Sequence, residues 1–420
     1  MRVLLVTMYF PPAGGGGVPR PLKIAQHLAE LGIETHVLAP TDPKRLHRDE
    51  SLSDPPGAIV HRLANVGPGV RRPSEELRSA HGLDRIGIAL SLTFRRLLVP
   101  DPGIVWSLCA ILPAARIVRR HAIDVVITSS PPGSTNLVGA AAKRLTGVEW
   151  VTDLRDSLTK PLYRRREMRG EHALARLVAR QASATVAVSE PIAEQMRALN
   201  PAGPVEVIDH GSDFDDFEGL EHHPSDRMRI THTGTMFGGR DPRPFLEALS
   251  RSGPDVVARF AGDFRAADRA YATTLGLDDR VEVLPYMPRR ETLALQRDSE
   301  VLLILVQEST GRGRSIITTK VFEYIAAGRP ILAAVPAESA VADLVRDLDL
   351  GLVVRPDDPD SIAAGIEELE SRWREGVLLD TALAPDRKAG LSRRARVEQL
   401  TELLRGIVDA RGSVGIRERT

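Results

Sequence analysis

Cysteine is almost missing from this 420-residue chain: Cys109 stands alone, so no internal disulfide can form and the composition fits a reducing compartment. Net charge is missing too. The 56 basic residues are balanced by 56 acidic ones, which argues against a general nucleic-acid binder and leaves only local basic patches to consider. No apolar run approaches the roughly 20 residues needed to span a bilayer. The opening MRVLLVT is a short strand-like run with no cleavage pattern after it, so it does not read as a signal peptide. Internal repeats, metal-ligand spacings, cysteine pairs and a nucleophile elbow are also lacking, so the reading contains no metal and no resident cofactor. The expected location is cytoplasmic, with peripheral contact at the inner face of a membrane left open.

What is present is length enough for two domains and one organising stretch, VLLILVQESTGRGRSIITTKVFEYIAAGRPILAA, over 301–334. It opens on a wholly apolar run, Val301 to Val306, which suits a strand buried on both faces of a parallel sheet. A glycine- and serine-rich loop follows, then a short helix over about 318–327 with Val321, Phe322 and Ile325 on one stripe. Gly328 supplies a left-handed stop, and Pro330 ends the helix before a strand over 331–334. A loop that feeds a helix N-terminus favours an anion, because unpaired N–H groups and the positive end of the helix dipole point into it. Lys320 lies in the first turn and Glu323 one turn later. The two could form an ordinary i,i+3 ion pair, or Lys320 could meet a diphosphate while Glu323 accepts hydrogen bonds from ribose hydroxyls. Lysine is scarce in this arginine-rich chain, which makes its presence here more telling.

From the start, the pattern is strand 2–7, the glycine run Gly14, Gly15, Gly16 and Gly17, helix 21–31 and strand 34–39, a doubly wound opening. The glycine run is not G-x-G-x-x-G, and the preceding tyrosine and prolines argue against a dinucleotide fingerprint. Residues 43–80 read as an insertion or long surface loop. Arg95, Arg96, Arg119 and Arg120 edge the apolar stretch 86–120 and could meet lipid headgroups, though such residues are more often the wet face of a core helix. A strand over 149–152 runs into Asp153-Leu154-Arg155-Asp156, where a carboxylate can serve as proton acceptor or as a structural ion pair. Tyr163 to Arg166 with Arg169 is the densest basic cluster. The segment from Val205 to Asp213, with His210, reads as a hinge. Beyond it a strand over 229–233 meets a second glycine loop, Gly234-Thr235-Met236-Phe237-Gly238-Gly239-Arg240, with a cation in it. Residues 393–408 are amphipathic, and the charged tail from Asp409 is expected to fray.

The run TKVFEYIAAGRPIL over 319–332 resembles the donor-site helix of glycosyltransferase family 4, in a branch with a K-x-x-E-Y core. S-S-P-P-G over 129–133, followed by V-T-D-L-R-D over 151–156, is similar to a pairing in bacterial members that build surface polysaccharides. The resemblance implies an α/β protein of two Rossmann-like domains facing across a cleft, the GT-B arrangement. It implies an N-terminal acceptor-binding domain over 1–212, a nucleotide-sugar domain over 213–392, and a C-terminal helix and tail over 393–420 that pack back on the first. The implied diphosphate contacts are Lys320, Arg240, Thr319, Gly234 and Thr235, with Glu323 on the ribose. Asp156, and after it Asp153, are the carboxylates near the acceptor hydroxyl, and the run Gly14 to Gly17 faces the cleft. The family's E-x7-E motif matches only at its second glutamate, Glu323; the first falls at Ser315, so that residue's role at the sugar does not carry over. The expected activity is metal-independent transfer from a nucleotide-diphosphate sugar, acting as co-substrate, to a glycan, lipid-linked glycan or small-molecule hydroxyl. A nucleotide-sugar 2-epimerase and a non-catalytic partner subunit are the alternatives on the same fold.

Overall fold

The computed structural model describes residues 1–42, 47–67, 98–159, 165–234, 236, 241–307, 318–378 and 380–417. The chain divides into two compact units: Met1–Asp209 with the chain from Arg396 onward, and His210–Ala395.

Among the described residues the first unit holds a seven-stranded sheet, with β1 (Arg2–Val6), β2 (Glu34–Pro40), β3 (Ala58–Leu63), β4 (Val125–Ser130), β5 (Glu149–Leu154), β6 (Ala184–Ala187) and β7 (Val205–Val207). Their order is β3-β2-β1-β4-β5-β6-β7, and every neighbouring pair is parallel. The central strands read as continuous apolar runs because helices cover both faces. Val3, Leu5, Val125 and Ile127 pack toward one face, where Val397, Leu400 and Leu404 of the helix Arg393–Arg417 join them. Leu4, Val6 and Val126 pack toward the other, with Trp106 and Trp150.

The second unit repeats the plan with β8 (Met228–Thr233), β9 (Val256–Ala261), β10 (Val281–Leu284), β11 (Val301–Leu305), β12 (Ile331–Ala334) and β13 (Gly351–Val354). Its order is β10-β9-β8-β11-β12-β13, again parallel throughout. All five residues of β11 are buried, and each large aliphatic side chain so covered contributes roughly 1.5–3 kcal/mol. The helix Thr319–Ala327 ends at Gly328 with φ 65°, the left-handed stop its sequence predicts.

In both units the chain starts at the sheet centre, winds toward one edge, then returns to wind toward the other. The β1/β4 and β8/β11 borders are therefore topological switch points, and a crevice opens outside the carboxyl ends of the strands there. The glycine run 14–17 follows β1, and Gly234 follows β8.

Two expectations need correction. Residues 43–80 contain β3, which pairs with β2 from Thr35↔Ala58 to Pro40↔Leu63. As an edge strand flanked by Pro and Gly it is only partly buried, so its apolar signal is weak. The terminal helix also continues past Asp409 to Arg417.

Candidate active site

The second unit brings the two phosphate-ready elements together. Thr318 caps the helix Thr319–Ala327, its Oγ1 accepting from the Lys320 N–H at 3.4 Å. The half-buried Lys320 side chain reaches the end of β8, where its Nζ lies 2.6 Å from the point a β-carbon on Gly234 would occupy. Gly234 also has φ +119°, a conformation that L side chains rarely adopt. Its neighbour across the sheet, Gly262 (φ +123°), comes equally close, since a β-carbon there would sit 2.9 Å from the Gly234 carbonyl carbon. The Gly234 N–H donates to the Ala261 carbonyl at 2.7 Å, and Met236 N–H to the Asp263 carbonyl at 3.1 Å, so the two strand ends form one backbone floor. An ammonium group lying on bare backbone beside a helix N-terminus suits a phosphate. Thr319 is the first residue of that helix. Thr235, Arg240 and Ser315 lie outside the described residues.

Glu323 is held one turn along. Its Oε1 accepts from Arg289 Nη1 at 2.8 Å and its Oε2 from Gln296 Nε2 at 3.2 Å. Gln296 Nε2 also donates to Thr233 Oγ1 at 2.8 Å, and the Thr233 N–H donates to Tyr324 Oη at 3.2 Å. The helix is thereby tied by side chains to the last residue of β8. Arg289 additionally meets Asp216 Oδ2 at 3.0 Å and Asp213 Oδ2 at 3.6 Å. Burial by itself would lower the Arg289 pKa, but Glu323, Asp213 and Asp216 outweigh it and hold the group above the usual guanidinium value. A planar guanidinium serving three carboxylates fixes the Glu323 rotamer and leaves its remaining lone pairs able to accept from hydroxyls. His210 packs edge-on against Phe322, with ring centroids 6.0 Å apart, and so buttresses the same helix. Arg289 and Gln296 escape sequence reading because nothing around Pro288-Arg289-Arg290 marks them as other than a helix start.

In the first unit Gly14 is buried, Gly15 and Gly16 are exposed, and Gly17 lies against Tyr9, whose ring a β-carbon would approach at 3.1 Å. The following helix, Pro19–Glu30, has no side-chain cap, and Pro19 and Pro21 leave Arg20 as the only N–H donor among its first three residues. Arg155 fastens this loop. Its Nη1 donates to the Gly17 carbonyl, Nη2 to Pro131 at 3.0 Å and Nε to Ser130 at 3.2 Å, while its guanidinium carbon stands 5.4 Å from the Tyr9 ring centre. Burial lowers the Arg155 pKa, and Asp153 and Tyr9 oppose the shift. Asp101 holds the next loop, accepting from Ser134 N–H at 2.8 Å and Ser134 Oγ at 2.7 Å.

The two candidate carboxylates separate sharply. Asp153 is 1% exposed. Arg20 Nη2 and Nε reach its Oδ1 at 2.7 and 3.0 Å, and Ser129 Oγ donates to its Oδ2 at 2.9 Å. Arg20 also donates to the Ile208 carbonyl at 3.0 Å. Asp153 thus has the geometry of a structural ion pair, one of the two roles its sequence position allows, held between a guanidinium and a hydroxyl. Asp156, two residues past β5, is exposed. Among the basic residues, Arg169, Arg119 and Arg120 are exposed, whereas Arg95, Arg96, Tyr163 and Arg164 lie outside the described residues.

Comparison with known proteins decides the family. Residues 15–211 match the model of a glycosyl transferase 4-like domain, and residues 229–372 match that of glycosyl transferases group 1. The chain belongs to the family-4-like glycosyltransferases. It has the GT-B fold, and it is a transferase enzyme. Sucrose-phosphate synthase (tll1590) from Thermosynechococcus elongatus is similar in structure, with TM-score 0.66 and 15% identity over 97% of this chain and 99% of that one. Alr3699/HepE from Anabaena, solved with UDP-glucose, matches with TM-score 0.65 and 16% identity over 97% and 100% of the two chains. The lipopolysaccharide outer core galactosyltransferase WaaB, in its apo form, matches with TM-score 0.60 and 12% identity over 96% and 98%. At these identities the likeness shows the fold of the glycosyltransferase alone. No curated protein matches it by sequence. Among the described residues, no helix of this glycosyltransferase is long and apolar enough to cross a membrane.

Proposed function

We propose that this glycosyltransferase moves a sugar from a nucleoside-diphosphate donor, gripped by the second unit, to a hydroxyl of a glycan, lipid-linked glycan or small-molecule acceptor held by the first. The observation that carries the reading is the Lys320 ammonium lying on the Gly234 backbone at the β8/β11 switch point. In this reading Lys320, the N-terminus of its helix, Thr319, Gly234, Thr235 and Arg240 meet the diphosphate. Charge on the departing diphosphate is then neutralised by protein cations and backbone dipoles, the kind of contact whose removal typically slows turnover about 10²–10³-fold. Glu323, oriented by Arg289, accepts from the ribose hydroxyls. Asp156 takes the proton of the attacking hydroxyl, and the run Gly14 to Gly17 receives anionic or hydroxyl groups of either substrate.

A place in bacterial polysaccharide or glycoconjugate assembly is part of the same proposal. It is supported by the S-S-P-P-G and V-T-D-L-R-D segments and by structural likeness to WaaB, named for lipopolysaccharide outer core. Cytoplasmic location and peripheral membrane contact belong to it as well. The latter draws on the helix Ile104–Arg120, which exposes Leu108 and Leu112 together with Arg116, Arg119 and Arg120.

The test is a thermal-shift panel of nucleoside diphosphates and their sugars, followed by transfer assays with the donor that stabilises most. Stabilisation by one nucleoside diphosphate, lost in Lys320→Ala, is the expected result. A panel with no shift overturns the donor reading, and a new epimer formed from the donor alone overturns transfer in favour of epimerisation.

A further inference from the structure

Three imidazoles of the first unit converge. His36 stands in β2, His61 in β3, and His121 directly follows the helix Ile104–Arg120. One ring nitrogen from each lies within 4.8 Å of the others. The register explains the meeting. His61 is level with Leu38, two residues beyond His36 on β2, so the two histidines share one face of the parallel sheet. That is the face carrying Leu4 and Leu38 beneath Trp106, and the helix that bears Trp106 delivers His121 at its end. His36 Nδ1 approaches His61 Nε2 at 2.9 Å, and His121 closes on His36 with ring centroids 4.4 Å apart.

The outer partner of His36 fixes what its inner nitrogen offers. His36 Nε2 lies 3.1 Å from Glu34 Oε1. An ionised carboxylate only accepts, so Nε2 carries the hydrogen, and in the neutral ring Nδ1 presents a lone pair toward His61. A carboxylate–imidazole pair presenting a lone pair beside two further imidazoles is the donor set of a borderline-soft divalent metal. Zinc–nitrogen bonds of about 2.0–2.1 Å place tetrahedral ligand nitrogens about 3.3 Å apart, a spacing inside the 4.8 Å within which the three ring nitrogens lie. His61 and His121 are only partly buried, which leaves a side for entry and for a fourth ligand.

We infer that His36, His61 and His121 form a binding site for one Zn²⁺ or similar divalent transition metal, pinning β2, β3 and the helix end before β4. The inference is independent of the donor site. It goes beyond sequence spacing, because the ligands are 25 and 60 residues apart and no short motif joins them.

The test uses the full untagged chain, stripped with chelator. Calorimetric titration with Zn²⁺ and visible absorption with Co²⁺ are measured on wild type, His61→Ala and His121→Ala, with His172→Ala, an exposed histidine, as control. Circular dichroism checks that each variant is folded. The expected result is one Zn²⁺ per chain, tetrahedral Co²⁺ bands and a raised Tm in wild type and His172→Ala. All three should be lost in the two cluster variants, and Glu34→Gln should weaken Zn²⁺ about 10–100-fold. Wild type without stoichiometric uptake, or cluster variants that bind as wild type does, would overturn the inference and leave a hydrogen-bonded histidine trio.

Discussion

Lys320 and Gly234 are fitted to one another: the lysine ammonium lies 2.6 Å from where the first side-chain atom of any other residue at 234 would be. Two substitutions at this one contact therefore give the same loss by different routes. Lys320→Ala removes the cation and should lower kcat about 10²–10³-fold, with little change in Tm because the side chain is only half buried. Gly234→Ala keeps the cation but displaces it and strains the backbone by about 1–3 kcal/mol. Steady-state kinetics and nucleoside-diphosphate titration of both variants test this. Full activity in either one removes the contact from the mechanism.

Arg289 is expected to be a stability residue as much as a site residue. Arg289→Ala leaves Glu323 and Asp216 without their shared cation, while Asp213 keeps Arg393 at 2.8 Å, and breaking such a buried pair costs about 3–5 kcal/mol. Urea denaturation should show that loss. Arg289→Lys should recover part of the stability but not the bidentate geometry, so donor binding should remain weak.

Asp153 and Asp156 should part company under the same substitution. Asp153→Asn strips the buried Arg20 of its counter-charge and should cost about 3–5 kcal/mol of stability. Asp156→Asn touches an exposed side chain, so the midpoint of unfolding should hold while turnover falls about 10²–10⁴-fold, the usual contribution of a proton acceptor. Equal activity of Asp156→Asn and wild type would place the acceptor base elsewhere.

An acid limb of stability is expected from the foot of β8. Glu300 accepts from Arg229 Nε at 2.7 Å, from Nη2 at 2.8 Å and from the Arg229 N–H at 2.9 Å. Burial would raise the Glu300 pKa, but the Arg229 hydrogen bonds outweigh it and hold the carboxyl below its ordinary value; Asp298 is depressed too, against its own burial, by the His223 N–H and then by Arg229. A depressed folded pKa means stability that is fully present above the unfolded values of about 3.9–4.3 and lost as pH falls through the folded ones. The Tm of wild type should therefore drop below about pH 4. The gap to Glu300→Gln, wide at pH 7, should narrow over that range, and a gap independent of pH would show that this carboxylate is not the source.

How much of this was legible beforehand varies by element. The 301–334 unit could be read almost whole, because an apolar run, a cap, a stripe and a Gly-x-Pro stop are local signals. The edge strand β3 was not, because its partly exposed residues lack the continuous apolar pattern of the central strands. The glycines were visible as glycines. What each does depends on contacts from residues far along the chain, such as Arg155 on Gly17 and Lys320 on Gly234.

Sequence by itself determined the two-domain α/β plan, the glycine loops after the first strand of each half, and the Lys320–Glu323 helix, since all of these rest on periodicity and turn chemistry within a few tens of residues. Tertiary structure alone decided which carboxylate is spent on an ion pair and which is exposed. It also decided that Arg289 orients Glu323 and that three distant histidines share one face. Those outcomes follow from parallel strand register and helix packing, which bring together side chains that no local pattern connects.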